Sequence, residues 1–179
     1  MTKVGIFFGT DTGTTRRIAK TIAKTLGAEL ADKPVNIRNA SVADLLSYDI
    51  LILGTPTYGD GELPGLSTGN MTESWEEFLP KLQGANFSGK KIALYGAGDQ
   101  QKYGGNFASA LRYLYDAFTD CGAQMIGEWA VAGNEYKFKH SKSVVDNVFV
   151  GLVLDEENQK ELTAVRLDNW LEQLAPAWS

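Results

Sequence analysis

The chain alternates short apolar runs with amphipathic helical patterns, and this alternation is the feature that most constrains its fold. Runs such as 4–8 and 50–54 are continuously apolar, which is typical of strands buried on both faces. The segment 14–26 instead repeats aliphatic residues at every fourth position, as a helix does. Strands that alternate with helices predict an α/β fold with a doubly wound parallel sheet and right-handed crossovers.

The predicted elements run along the whole chain without a repeat or a linker. We expect strands at 4–8, 35–38, 50–54, 91–96, 124–129 and 149–154, and helices at 14–26, 42–46, 74–82, 106–120 and from 163 onward. A polar segment at about 130–147 interrupts this pattern and is interpreted as an insertion. The length of 179 residues fits one domain, which we expect to span residues 1–179.

The composition excludes several kinds of site. The chain has one cysteine, Cys121, and one histidine, His140. A single cysteine cannot form an intrachain disulfide, an iron–sulfur cluster or a cysteine-based zinc site, so we expect no metal. No apolar run approaches the length of a membrane-spanning helix, and the N-terminus lacks the apolar stretch of a signal peptide. We therefore expect a cytoplasmic protein.

Charge is distributed unevenly along the chain. Seventeen basic and 22 acidic residues give a net charge of −5, yet residues 41–80 alone hold seven acidic residues and no basic one. Such a surface repels nucleic acid and attracts a basic protein partner. The alternative is an acidic face that serves only solubility.

Three loops at predicted strand ends carry the candidate site, since ligands of open parallel sheets bind beyond the carboxyl ends of the strands. The first loop, 9–15, is rich in threonine and glycine and runs into a helix N-terminus, which favours a phosphate. It lacks the lysine and the glycine spacing of a nucleotide triphosphate loop. The alternative is an ordinary capped helix.

The other two loops each place an aromatic ring among glycines. Tyr58 lies in loop 55–61, and Tyr103 follows Gly96 and Gly98. These two glycines resemble the start of a dinucleotide fingerprint, but Gln101 occupies the place of its third glycine, so NAD is not expected. Either tyrosine alone could simply pack in the interior. Together with the phosphate loop, they predict a flat, conjugated, phosphorylated ligand.

The three loops resemble the flavin-binding loops of the flavodoxin family. Thr10-Asp11-Thr12-Gly13-Thr14-Thr15 is similar to the family's phosphate loop, T-x-T-G-x-T, while 56–61 and 98–103 are similar to its second and third loops. The resemblance implies a five-stranded sheet of order 2-1-3-4-5 that binds FMN between strands one and three. The insertion at 130–147 resembles long-chain members, and the extended loop 64–73 resembles the nitrogen-fixation flavodoxins.

The resemblance also implies roles for individual residues. Tyr103 would stack on the outer flavin face, Tyr58 would take the inner face, where many members have tryptophan, and Asp99 would bond the pyrimidine edge. The phosphate would be held by residues 10–15. The implied FMN-binding residues are Thr10, Asp11, Thr12, Gly13, Thr14, Thr15, Thr55, Pro56, Thr57, Tyr58, Gly59, Asp60, Gly61, Ala97, Gly98, Asp99, Tyr103, Asn106 and Asp155.

The function implied is a low-potential one-electron carrier that cycles FMN between semiquinone and hydroquinone. Its partners would be redox proteins with basic docking patches, a reductase as donor and the nitrogenase iron protein as acceptor. We expect a monomer that binds neither nucleic acid nor membrane. The resemblance further implies that the carbonyl of Gly59 turns toward flavin N5 on reduction, which requires a positive φ; a glycine needed only for a tight turn is the alternative.

Two other functions are possible on the same fold. One is an FMN-dependent NAD(P)H or quinone oxidoreductase, and the other is a binding module without redox chemistry. Two tyrosines that cover both flavin faces leave little room for hydride transfer, which disfavours the enzyme. No catalytic residue is expected, because His140 is far from the loops in sequence and Cys121 lies at a helix C-terminus, where a thiolate is disfavoured.

Overall fold

A computed structural model describes residues 3–10 and 12–179. Its strands are β1 (Val4–Phe8), β2 (Val35–Asn36), β3 (Ile50–Pro56), β4 (Lys91–Ala97), β5 (Gln124–Ile126), β6 (Trp129–Ala130), β7 (Val144–Val145), β8 (Val148–Phe149) and β9 (Leu152–Leu154). Its α-helices are α1 (Thr14–Leu26), α2 (Val42–Leu46), α3 (Trp75–Phe78), α4 (Leu111–Asp120) and α5 (Thr163–Leu174).

The central sheet confirms the predicted architecture. It is parallel, with strand order β2-β1-β3-β4-β5. Two short strands share the fifth position of the sheet. Strand β5 pairs with the first half of β4, where Lys91 is opposite Gln124, and β9 pairs with the second half, where Ala97 is opposite Leu154. The last strand is therefore interrupted, as the sequence predicted.

The central strands are buried on both faces because helices flank the sheet. Every residue of β1 is buried, and α1 packs on β1 and β3. Helix α4 packs on β4, while α5 packs on β9. Among residues 3–10 and 12–179, no helix combines the length and apolarity needed to cross a bilayer.

Several predicted boundaries are wrong for local physical reasons. The strand predicted at 35–38 ends at Asn36, whose side chain accepts a hydrogen bond from the Arg38 N–H and starts a helical turn. The helix predicted at 74–82 is α3 followed by a 3₁₀ turn, since Pro80 has no N–H to continue the α pattern. The helix predicted from 106 begins only at Leu111, after turns that place Ala108 at a positive φ of 53°.

The insertion is longer than predicted. The strand predicted at 124–129 breaks after β5 at Gly127, which has a positive φ of 81°, and Phe149 belongs to β8 rather than to the central sheet. Strands β6, β8 and β7 form a separate antiparallel sheet in that order. Tyr136, Phe138 and Phe149 pack around Phe107, with ring centroids 5.2–6.1 Å away. The insertion therefore packs against the segment that follows the third loop.

Candidate functional site

A cavity of about 600 Å³ lies at the carboxyl ends of β1, β3 and β4. Volumes of this size are typical of small-molecule sites. All three predicted loops contribute to its wall, and the loop after β9 completes it. The predicted residues found in the wall are Thr12, Thr14, Pro56, Thr57, Tyr58, Gly59, Ala97, Gly98, Asp99 and Tyr103.

A second group of predicted site residues is not part of the wall. These residues lie behind it or beside it: Thr10, Gly13, Thr15, Thr55, Asp60, Gly61, Asn106 and Asp155. Asp11 lies outside the described residues. Three residues of the wall were not predicted, Lys102, Glu156 and Glu157. The site is thus built partly by contact residues and partly by residues that shape the loops.

The threonine-rich loop leads into the start of α1. Gly13 precedes the helix with a positive φ of 97°, and no side chain among the described residues caps it. The Gly13 N–H donates to the Thr10 hydroxyl over 3.0 Å, while the buried Thr15 hydroxyl donates to the Gly9 carbonyl. Thr10 and Thr15 therefore shape the loop, and the N–H groups of the first helical turn, which have no acceptor within the helix, favour an anion.

One arginine brings positive charge to this loop. The Arg17 guanidinium donates to the Thr14 hydroxyl over 3.2 Å, and Thr14 is in the cavity wall. Arg16 instead lies over the Phe8 ring, 5.6 Å from its centroid. Of the two arginines, Arg17 is the one placed to interact with a phosphate.

The loop after β3 forms a tight turn around Tyr58. The Tyr58 carbonyl accepts hydrogen bonds from the N–H groups of Gly61 and Glu62, over 3.0 and 2.7 Å, and the Tyr58 N–H donates to the Glu62 carbonyl. Gly59 and Gly61 have positive φ values of 46° and 94°, as the turn requires. The Tyr58 hydroxyl donates to the Asn70 side chain over 3.3 Å, which holds the ring beside the cavity.

The loop after β4 is organised around Asp99. Its Oδ1 accepts hydrogen bonds from the backbone N–H groups of Gln101 and Lys102 and from the Asn158 amide. Burial raises the pKa of Asp99, but these donors and the Lys102 charge outweigh it and hold the pKa below its usual value. Tyr103 is exposed at the cavity rim, with the Lys102 ammonium 5.4 Å from its ring centroid.

Two predicted residues have structural rather than wall positions. Asp155 is fully buried and accepts hydrogen bonds from Gln100 and Asn158. Asn106 is half-buried, and a Cβ added to Gly61 would lie 3.3 Å from its side chain. The next two residues along the chain, Glu156 and Glu157, lie in the cavity wall instead. Neither residue lies in a glycine-rich or aromatic motif, but their position directly after a strand of the same sheet could have identified them as site residues.

Comparison with known proteins identifies close relatives. The family model described as Flavodoxin matches residues 6–170. The chain is 53% identical over 174 residues to a flavodoxin of Klebsiella pneumoniae, covering 97% of both chains. It is 50% identical over 178 residues to a flavodoxin of Enterobacter agglomerans, covering 99% of both.

The structure also resembles solved ones. The structure of Fusobacterium nucleatum flavodoxin bound to flavin mononucleotide superposes with a TM-score of 0.87 at 32% identity and covers 100% of both chains. A mutant of the same flavodoxin, K13G, also bound to flavin mononucleotide, gives the same TM-score at 34% identity and covers 100% of this chain and 98% of its own.

Proposed function

This chain belongs to the flavodoxin family of electron-transfer proteins, and we propose that it carries single electrons through one FMN bound non-covalently in the cavity. The observation that carries the proposal is the convergence of two tyrosines and the N-terminus of α1, which no described side chain caps, on one cavity. Bound FMN supplies one-electron redox chemistry. The proposed FMN-binding domain spans residues 1–179, insertion included.

The start of α1 fits the phosphate of FMN. Its first turn carries no acidic residue, and no side chain among the described residues caps it, so the N–H groups of this turn favour a phosphate. Thr12 and Thr14 add hydroxyl groups in the cavity wall, and Arg17 reaches Thr14. A terminal phosphomonoester suits such a cradle better than the internal pyrophosphate of FAD.

The other walls fit the flavin ring. Tyr58 and Tyr103 offer aromatic faces on loops from neighbouring strands, and Asp99 offers a carboxylate oxygen as an acceptor. Three of the four charged residues in the cavity wall, Asp99, Glu156 and Glu157, are acidic. These carboxylates oppose the addition of further negative charge in the cavity, so we expect them to lower the potential at which the second electron is accepted.

The flavin extracted from native protein tests the cofactor. We expect FMN, and recovery of FAD or of no flavin would contradict the proposal.

Thr12→Ala and Thr14→Ala should weaken FMN binding about tenfold while affecting riboflavin binding less, because only FMN carries the phosphate. Thr25→Ala is the matched control, since its hydroxyl bonds the backbone of α1 on the exposed face.

The proposed partner site is the acidic loop beside the cavity. Asp60, Glu62 and Glu73 are exposed, and so are two apolar side chains of the same loop, Leu66 at 54% and Met71 at 87%. Exposed apolar groups within an acidic rim are typical of protein docking surfaces. We propose that a basic patch of a reductase or an electron acceptor docks here, with this chain acting as a monomer in the cytoplasm.

Charge reversal tests this docking. Glu62→Lys and Glu73→Lys should slow electron transfer and flatten its salt dependence, whereas Glu172→Lys on the exposed side of α5 should not. Glu76 and Glu77 are unsuitable, although both belong to the acidic segment. Glu77 accepts from the Leu66 and Ser74 N–H groups and Glu76 from the Ser67 hydroxyl, so their reversal would disturb the loop itself.

The nitrogenase iron protein is the acceptor that we propose, on the resemblance of the extended loop 64–73. Reduced protein mixed with oxidised iron protein should transfer one electron per flavin, at a rate that falls as salt rises. No transfer would contradict this acceptor without affecting the carrier function.

The alternative function, an FMN-dependent oxidoreductase, has its own test. Steady turnover of NADPH and a quinone without any reductase would favour it.

A further inference from the structure

Asn158 lies between two carboxylates. Its side-chain nitrogen is 2.8 Å from Asp99 Oδ1 and 2.9 Å from Asp155 Oδ2. An amide turned the other way would set its oxygen against both carboxylates, so chemistry fixes the nitrogen on this side. The two amide hydrogens are sufficient for one hydrogen bond to each carboxylate.

Asp155 is the fixed end of this arrangement. It is fully buried and accepts from the backbone N–H groups of Gln100, Glu157 and Asn158, over 3.0, 3.1 and 3.0 Å. The Gln100 side-chain amide adds a fourth donor at 2.8 Å, and the Asn158 amide is the fifth. In the described part of the chain Asp155 makes no salt bridge, so neutral amides alone satisfy its charge.

Asp99 is the end that faces the cavity. All three of its side-chain hydrogen bonds within residues 3–10 and 12–179 go to Oδ1, from Gln101, Lys102 and Asn158. Asp99 lines the cavity, and Oδ2 has no partner among these residues. One carboxylate oxygen is thus held by the protein while the other is left for a donor in the cavity.

We propose that Asn158 is a positioning residue, which holds Asp99 by Oδ1 and so presents Oδ2 to a ring N–H of the bound flavin. The inference rests on the proposed binding of FMN. It gives the loop after β9 a role in cofactor affinity that does not require Asn158 or Asp155 to touch the flavin. Asp155 fixes Asn158, and Asn158 fixes Asp99.

The surrounding charges shape what an acid titration will show. Lys102 lies on the loop of Asp99, and Glu156 and Glu157 precede Asn158 on the loop after β9. The insertion contributes Glu135 and Lys137 beside Asn158. Burial raises the pKa of Asp99, but the donors on Oδ1, Asn158 among them, and the Lys102 charge lower it overall. Removal of the Asn158 amide should therefore raise the Asp99 pKa.

A double-mutant cycle on FMN affinity tests the proposal directly. Asn158→Ala should weaken FMN binding about five- to tenfold in the otherwise unchanged protein but less than twofold in an Asp99→Ala background. Equal losses in both backgrounds, or no loss, would overturn it. Asn134→Ala is the matched control, because this half-buried asparagine bonds the Ala130 carbonyl within the insertion. Failure of the parent to bind FMN would instead contradict the proposed function.

Two further measurements do not depend on that cycle. In the cofactor-free protein, Asn158→Ala should raise the Asp99 pKa in a carboxyl NMR titration, and an unchanged pKa would refute the contact.

Asn158→Asp keeps the size of the side chain but sets a third carboxylate against Asp99 and Asp155. Relative to the parent, its FMN affinity should rise about tenfold from pH 7.5 to 5, as a shared proton restores a donor, since titration of the FMN phosphate affects both proteins alike. Parallel profiles would overturn the proposal even if Asn158→Ala does not fold.

Discussion

The two tyrosine-bearing loops both line the cavity, but they are held in place in different ways. The tip of the loop after β3, residues 58–60, is closed mainly by backbone hydrogen bonds that join Tyr58 to Gly61 and Glu62. The loop after β4 is held from outside, by Asp155 and Asn158 on one side and by the insertion on the other.

The insertion makes several bonds to the loop after β4. The N–H groups of Lys139 and His140 donate to the Gly104 carbonyl over 2.8 and 2.9 Å, and the Lys137 N–H donates to the Gln100 side chain over 2.6 Å. Among the described residues, no such backbone hydrogen bonds from another part of the chain reach the tip at 58–60. Thr57 and Gly61, at the base of this loop, contact the segment before α4. The difference indicates one wall that is rigid and another that can change its turn conformation.

The largest expected effect comes from breaking the rigid wall at its buried anchor. Asp155→Ala leaves five N–H donors without their acceptor, and we expect it to lower the free energy of unfolding by about 3 kcal/mol. Urea denaturation of the cofactor-free protein measures this loss. Asp168→Ala, at an exposed position of α5, should change stability by less than about 0.5 kcal/mol. A loss that small at Asp155 would show that the loop after β4 does not depend on its anchor.

The base of the other loop is the next place to test. Gly61 has a positive φ of 94°, and a Cβ there would lie 3.0 Å from the Ser109 Cβ. Gly61→Ala therefore combines backbone strain with a steric clash, and we expect a loss of about 2 kcal/mol in urea unfolding. Gly69→Ala is a useful comparison, because Gly69 has a similar φ of 95° with no atom within 4 Å of an added Cβ. Equal losses at the two positions would exclude a contribution from packing against Ser109.

Much of this comparison could be predicted from the sequence, but not all of it. The apolar runs in β1, β3 and β4 predict buried parallel strands, and parallel strands bring the loops that follow them to one edge. That reasoning found both tyrosines. It did not find the hydrogen bonds that hold the loop after β4, because Asn158 and Asp99 are 59 residues apart and nothing in either local pattern pairs them. Similarly, Asp155 was predicted to border the flavin, and only the structure shows its carboxylate turned into the protein.

A smaller effect is expected at the tip of the loop after β3. Gly59 has a positive φ of 46°, Asp60 does not share it, and a Cβ at Gly59 would meet nothing closer than the Glu62 carboxylate at 4.0 Å. Gly59→Ala should thus cost only the backbone strain, about 1 kcal/mol in urea unfolding.

The same substitution tests whether the tip moves on reduction. If the Gly59 carbonyl must turn toward the flavin, Gly59→Ala should lower the first one-electron potential by up to about 40 mV. A potential that is unchanged while FMN stays bound would leave the glycine as a turn residue only. The corresponding change in the loop after β4, Gly105→Ala, should leave this potential unchanged. Gly105 does not have a positive φ, and no described atom lies within 4 Å of a Cβ added there.

The smallest expected effect concerns the side chain that links the tip to the rest of its loop. The Tyr58 hydroxyl donates to Asn70 over 3.3 Å, a long hydrogen bond from a half-buried ring. Asn70 keeps a second bond, from its amide to the Thr72 carbonyl at 3.1 Å. Tyr58→Phe should therefore lower the free energy of unfolding by only about 0.5 kcal/mol and leave FMN affinity within about twofold, because the aromatic face is kept. A loss as large as that of Asp155→Ala would mean that the tip is anchored as firmly as the loop after β4, and the contrast between the two walls would fail.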